Sequence, residues 1–150
     1  PDIFVPQDTT GITSYFSMAV NKGLTIQFAF QYTDQNRQKL QKYDNADDLL
    51  KYLKKQNILE KFAQFAESKG IKRRNLMMYK SRELFNRNLY GNIIYNMLNM
   101  EEYLKFLNQS DPTVQKALEV LKAGNSFPQA PEQISEEANE GTEKTITKAN

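Results

Sequence analysis

Residues 75–98 carry the strongest periodic signal in the chain. Phe85, Leu89, Ile93 and Met97 recur one helical turn apart, flanked by Leu84, Ile94 and Leu98. A repeat of 3.6 residues puts such positions on one face of a helix; a strand, with its period of two, scatters them. The apolar stripe is wide, so this helix is expected to sit centrally, and an element of that kind needs other helices around it.

The rest of the chain offers them. Over residues 12–33, Phe16, Ala19, Val20, Gly23, Ile26 and Phe30 recur at steps of three and four, which predicts one long helix capped by Thr9 or Thr10. Gly23 lowers helix propensity there by about 1 kcal/mol. We read it as a place where a crossing helix needs a small residue, in preference to a kink. Residues 34–44 read as polar linker. Asp44 or Asn45 then caps a helix from Ala46 to Lys55, with Asp47 and Asp48 in its first turn and Leu49, Leu50 and Leu53 on its inner face. Ile58, Leu59, Phe62, Ala63, Phe65 and Ala66 follow and stop at Gly70, a natural C-terminal cap. Residues 46–69 are thus one bent helix or two.

Downstream, Met100, Tyr103, Leu104, Phe106 and Leu107 predict a short helix over 100–108. Asp111-Pro112 is a start signal, a capping Asp before Pro in the first turn, for a last helix through Val114, Ala117, Leu118 and Leu121 to Gly124. The expected fold class is all-α: a compact bundle of five or six helices spanning 12–124.

Both ends differ from this body. Residues 1–11 contain Pro6 and Gly11 against a helix, and Ile3, Phe4 and Val5 in favour of a strand. A lone strand needs a partner, so Ile3, Phe4 and Val5 are expected to pair with a sheet upstream, and residues 1–8 to be unstructured without it. The chain begins at Pro1 and shows no leader peptide, which suggests processing or a fragment of a longer protein. Residues 125–150 hold five Glu and two Lys, with Pro128, Pro131 and Gly141, and no apolar period. Such a segment buries too little surface to offset its ordering entropy, and we read it as a disordered acidic tail.

Composition narrows function by exclusion. The chain has no His and no Cys. That removes a disulfide framework, a zinc site built on Cys or His, a Cys nucleophile and a Ser-His-Asp triad. No apolar run approaches the ~20 residues of a membrane helix, so membrane insertion by this chain is not expected. Asp47 with Asp48 and Glu101 with Glu102 are paired carboxylates, but each pair opens a helix, where acids belong. No Gly-rich phosphate loop is present, and we assign no catalytic residue, cofactor or metal. Lys69, Lys72, Arg73, Arg74, Lys80, Arg82 and Arg87 cluster, yet the net charge is only +2 and no helix-turn-helix spacing accompanies them. We read solvated cations there and no nucleic-acid partner.

Two features favour protein contact. Asn88, Asn92 and Asn96 stand four apart with Asn99 just beyond. An exposed helix face explains them most simply, and their amides are also candidate contacts. Tyr is plentiful, and its amphipathic ring suits interfaces; Tyr90 and Tyr95 lie on the same helix as the amides. Ile3, Phe4, Val5, Asn88, Asn92, Asn96, Tyr90 and Tyr95 form the candidate set for interdomain or partner contact.

The junction Pro1-Asp2-Ile3-Phe4-Val5-Pro6, followed by Asp8-Thr9-Thr10-Gly11, resembles one in tail-specific (carboxyl-terminal processing) serine peptidases. Their catalytic domain closes with a strand ending in Pro-Asp-x-x-Val-Pro. The remainder is similar to the C-terminal helical region of Bacteroidetes-type members, through Asn21-Lys22-Gly23-Leu24 with Phe28-Ala29, Lys51-Tyr52-Leu53 and Asp111-Pro112-Thr113-Val114-Gln115-Lys116-Ala117-Leu118. The resemblance implies a parent with a PDZ module and an α/β core, exported to the periplasm or cell envelope. In such a parent a Ser nucleophile and a Lys base cut proteins near their C-termini. Both groups precede the junction in that family, so this chain would be non-catalytic. Ser14, Ser17 and Ser81 match no catalytic motif. The implied partners are the upstream core of the same polypeptide and protein substrates. The rival expectation is a stand-alone helical module that binds a peptide or helix in an apolar groove.

Overall fold

The computed structural model describes residues 11–123. Eight helices lie among them and no strand: α1 Ser14–Asn21, α2 Leu24–Leu40, α3 Ala46–Leu53, α4 Ile58–Ser68, α5 Asn75–Lys80, α6 Arg82–Met97, α7 Met100–Ser110 and α8 Pro112–Lys122. The all-α class stands; the number exceeds the five or six expected, and all except α5 reach two turns. The expectations for Ile3, Phe4 and Val5 and for the acidic tail fall outside the described residues.

The extra helices arise where single residues break longer periodic runs. Gly23 adopts φ +68, the left-handed region, between α1 and α2. A Cβ there would meet only the Gln27 side chain, at 3.9 Å, so backbone conformation and not a crossing helix requires glycine. The break also turns the apolar register. Leu24, Phe28, Ala29 and Tyr32 face the core, while Ile26 and Phe30, expected inside, are 62% and 66% exposed. The expected linker 34–44 is helical as far as Leu40, whose side chain is fully buried. Gln, Arg and Lys are good helix formers, and packing of α2 along α6 settles the matter. Asn57, at φ 50, separates α3 from α4. Ser81 interrupts 75–98, leaving α5 as a short helix before α6.

Caps follow the sequence more closely. Asn45 Oδ1 accepts from the amide of Asp48, and Asp111 Oδ1 accepts from Thr113. Gly70, at φ +92, closes α4. Thr13 caps α1 through Phe16, a role expected of Thr9 or Thr10.

As expected, α6 is central, packing on α2, α3, α4, α5 and α7. Phe85, Leu89, Ile93 and Ile94 are fully buried, and Met97 is partly so. A chain of ring contacts crosses the core: Phe28 to Phe62 at 5.6 Å and Phe62 to Phe85 at 5.3 Å. Rings at such distances add about 1 kcal/mol per pair beyond area burial. At the far end α8 packs on α7 and buries no residue completely.

Candidate functional site

The candidate amides and tyrosines divide between the two sides of α6. Asn88, Asn92, Tyr95 and Asn96 share one face by helical spacing, and Tyr90 points away from it. Within the stripe the amides satisfy one another. Asn92 Nδ2 donates to the Asn88 carbonyl at 2.9 Å and to Asn88 Oδ1 at 3.0 Å, and both residues are half-buried. Asn96 and Tyr95 are exposed. The Tyr95 ring stands edge-on to Tyr103 of α7, centroids 5.2 Å apart. Burial, and then the charge of Glu83, raise the Tyr90 phenol pKa. The outward-facing part of the stripe therefore narrows to Tyr95 and Asn96.

The carboxylate pairs are tied into the scaffold. Asp48 Oδ2 accepts from Asn45 at 2.9 Å, and Asp47 lies 3.6 Å from Lys105 of α7. Glu102 Oε2 accepts the Ala46 amide at 2.7 Å. Among the described residues no group of three or more acids gathers as a metal site, and no helix is long and apolar enough to cross a membrane.

The cations are partly used internally. Arg73 grips both oxygens of Glu60 at 2.6 Å and also donates to Asn75. Those hydrogen bonds are the main cause that holds the Glu60 carboxyl below its usual pKa. Lys69 lies 5.5 Å from the Phe65 ring centre, and the Arg82 guanidinium lies over Tyr79 at 4.1 Å. Lys72, Arg74 and Lys80 are exposed.

Ser81, noted in the sequence only as lacking a catalytic motif, holds the start of the domain. Its side chain is fully buried. Its hydroxyl donates to the Gly11 carbonyl at 2.5 Å, so its single proton is spent. The 2.7 Å contact with Thr13 Oγ1 therefore has Thr13 as donor. Gly11 packs between Leu84 and the Lys80 carbonyl, where a Cβ would already touch both. The incoming chain is thus latched to the joint between α5 and α6. No periodicity argument could find this role, because it joins residues 68 and 70 positions apart.

Besides the exposed Ile26 and Phe30 of α2, two further apolar surfaces are open among the described residues. Between α7 and α8 lies a groove of about 420 Å³, floored by Leu104, Val114 and Leu118 and bordered by Glu101, Lys105 and Asn108. On α5, Leu76 and Tyr79 project outward one turn apart.

No curated protein matches the chain, and no solved structure does. Residues 15–99 match a family of unknown function, DUF8443, whose description names no activity. The match runs from α1 through the whole of α6, and takes in the breaks at Gly23 and Ser81. The chain belongs to this family, DUF8443.

Proposed function

We propose that the chain is a non-catalytic helical accessory domain that follows the core of a tail-specific serine peptidase. It packs on that core or shapes the path of protein substrates to it, in the periplasm or cell envelope. The observation that carries this reading is the Pro1-Asp2-Ile3-Phe4-Val5-Pro6 junction immediately ahead of a helical unit. Two structural features support it. One hydrophobic core is buried among the described residues 11–123, and the chain arrives over the α5–α6 joint under a two-hydroxyl latch. In this reading Ile3, Phe4 and Val5 complete the sheet of the upstream core, and Tyr95 and Asn96 are secondary contacts.

A second reading is a stand-alone peptide- or helix-binding module. It is favoured by the α7–α8 groove, whose apolar floor suits one face of an amphipathic helix.

The native mass separates the two. An antibody raised against this chain should detect a protein several times heavier than 17.4 kDa in its own cells. Deleting the domain from that protein should then change its cleavage of protein substrates. A native band near 17.4 kDa removes the accessory-domain reading and leaves the groove as the place to look for a partner.

A further inference from the structure

Leu76 is 68% exposed, the most exposed large apolar side chain among the described residues, and Tyr79, one turn on, is 62% exposed. The chain from Lys69 to Arg82 carries six cations and no carboxylate. Arg73 is engaged by Glu60, and Arg82 is fixed against Tyr79, with its Nη1 also donating to the Tyr79 carbonyl at 2.9 Å. Lys72, Arg74 and Lys80 remain exposed, the first two just ahead of α5 and the third at its last residue. An apolar centre with a cationic border is complementary to an apolar patch bordered by carboxylates.

The path of the chain says what lies closest to this face. Ser81 latches Gly11 directly beside Lys80, the last residue of α5. Ten residues span at most ~34 Å, so the attachment point of any body joined ahead of Pro1 lies within that radius of Gly11, beside the end of α5. A tether of this length gives effective concentrations on the order of mM, enough for a modest apolar and charged contact to persist. Among the described residues, the exposed Ile26–Phe30 pair and the α7–α8 groove have no comparable latch to the incoming chain.

We propose that the outward face of α5 is the seat of the upstream core, which meets Leu76 and Tyr79 with apolar side chains and Lys72, Arg74 and Lys80 with carboxylates. This rests on the accessory-domain reading. Arg82 stacked on Tyr79 keeps the ring oriented, so less side-chain freedom is lost on docking.

Amide exchange tests it, comparing the full-length native polypeptide with the isolated chain 1–150. Residues 75–81 should exchange at least about tenfold more slowly in the full-length protein, as expected of backbone covered by a packed interface. The double variant Leu76→Glu/Tyr79→Glu should return those amides to the isolated-chain rate. The same should hold for Lys72→Glu/Arg74→Glu, which leaves the apolar centre intact. All four side chains are exposed, so both variants of the isolated chain should melt like the parent, which separates lost docking from lost folding. Equal exchange at α5 in the two proteins overturns the docking face and leaves the accessory-domain reading standing. So does slowing confined to Ile26–Phe30 or to the α7–α8 groove. A native product of 17.4 kDa overturns both.

Discussion

The carboxylate of Glu102 accepts the backbone amide of Ala46 at 2.7 Å, so the first turn of α3 is capped from α7, 56 residues away. Asn45 caps the same turn locally through Asp48. The two caps satisfy different amides, and a helix start otherwise leaves four of them unpartnered. Lys105 beside Asp47 adds a second tie between the same helices. Glu102→Ala should therefore lower stability by about 1–2 kcal/mol, read from the urea midpoint. Lys105→Ala removes only an exposed ion pair and should cost at most about 0.5 kcal/mol. Equal losses would mean that the cap contributes no more than a surface pair.

Gly23 should be irreplaceable by alanine even though space is open around it. Alanine in the left-handed region costs about 1–2 kcal/mol. The Gln27 amide, 3.9 Å away, is too far to add a clash. Asparagine tolerates that region better, so Gly23→Asn should recover part of the loss. Thermal melting of the two variants checks this order. If alanine matched asparagine, the cost would not be conformational.

The parts of the fold legible in the sequence were those decided within a few residues. The inner face of α6, the Asn45 cap, the Gly70 stop and the Asp111-Pro112 start all depend on local spacing, and the structure keeps each. What sequence reasoning missed depends on distant partners. The run 12–33 looks continuous because Gly23 can sit inside a helix; its left-handed turn re-aims Ile26 and Phe30 outward. The polar run Asp34 to Leu40 looks like a linker, yet it continues α2, which packs along α6 and buries Leu40. Ser81 carries no local signal at all, and its burial depends on Gly11 and Thr13, 70 and 68 positions away. The candidate contacts divide in the same way. Spacing placed the Asn stripe correctly on one face, but not the mutual hydrogen bonding of Asn88 and Asn92.

Two buried hydroxyls, those of Tyr15 and Thr33, have no hydrogen-bond partner among the described residues. A buried hydroxyl without a partner costs about 1–3 kcal/mol of desolvation, while its removal loses little packing. Tyr15→Phe keeps the ring that meets Phe85 edge-on at 5.7 Å. Both Tyr15→Phe and Thr33→Val should therefore stabilise the fold, each by about 0.5–1 kcal/mol. Denaturant titration gives the sign directly. A loss on Tyr15→Phe would point to an ordered water serving that hydroxyl.

Alkaline pH should weaken the fold through its buried phenols. Burial, and secondarily the charge of Tyr52, push the Tyr32 pKa up to about 12 from 10.0; burial likewise raises those of Tyr15 and Tyr90. A raised phenol pKa means that the folded state keeps its proton after the unfolded chain has released its own. The unfolded state then binds fewer protons, so stability falls as pH rises. For Tyr32 the contribution is complete below about pH 10 and is lost as pH climbs through about 12. Its size is on the order of 2 kcal/mol. The parent and a Phe variant differ in this one titrating group, so the phenol is isolated by difference. Urea midpoints of the parent and of Tyr32→Phe, followed from about pH 9 to about pH 12, should diverge, with the variant losing less. Identical alkaline slopes would show that the Tyr32 phenol ionises as readily in the folded protein as in the unfolded chain.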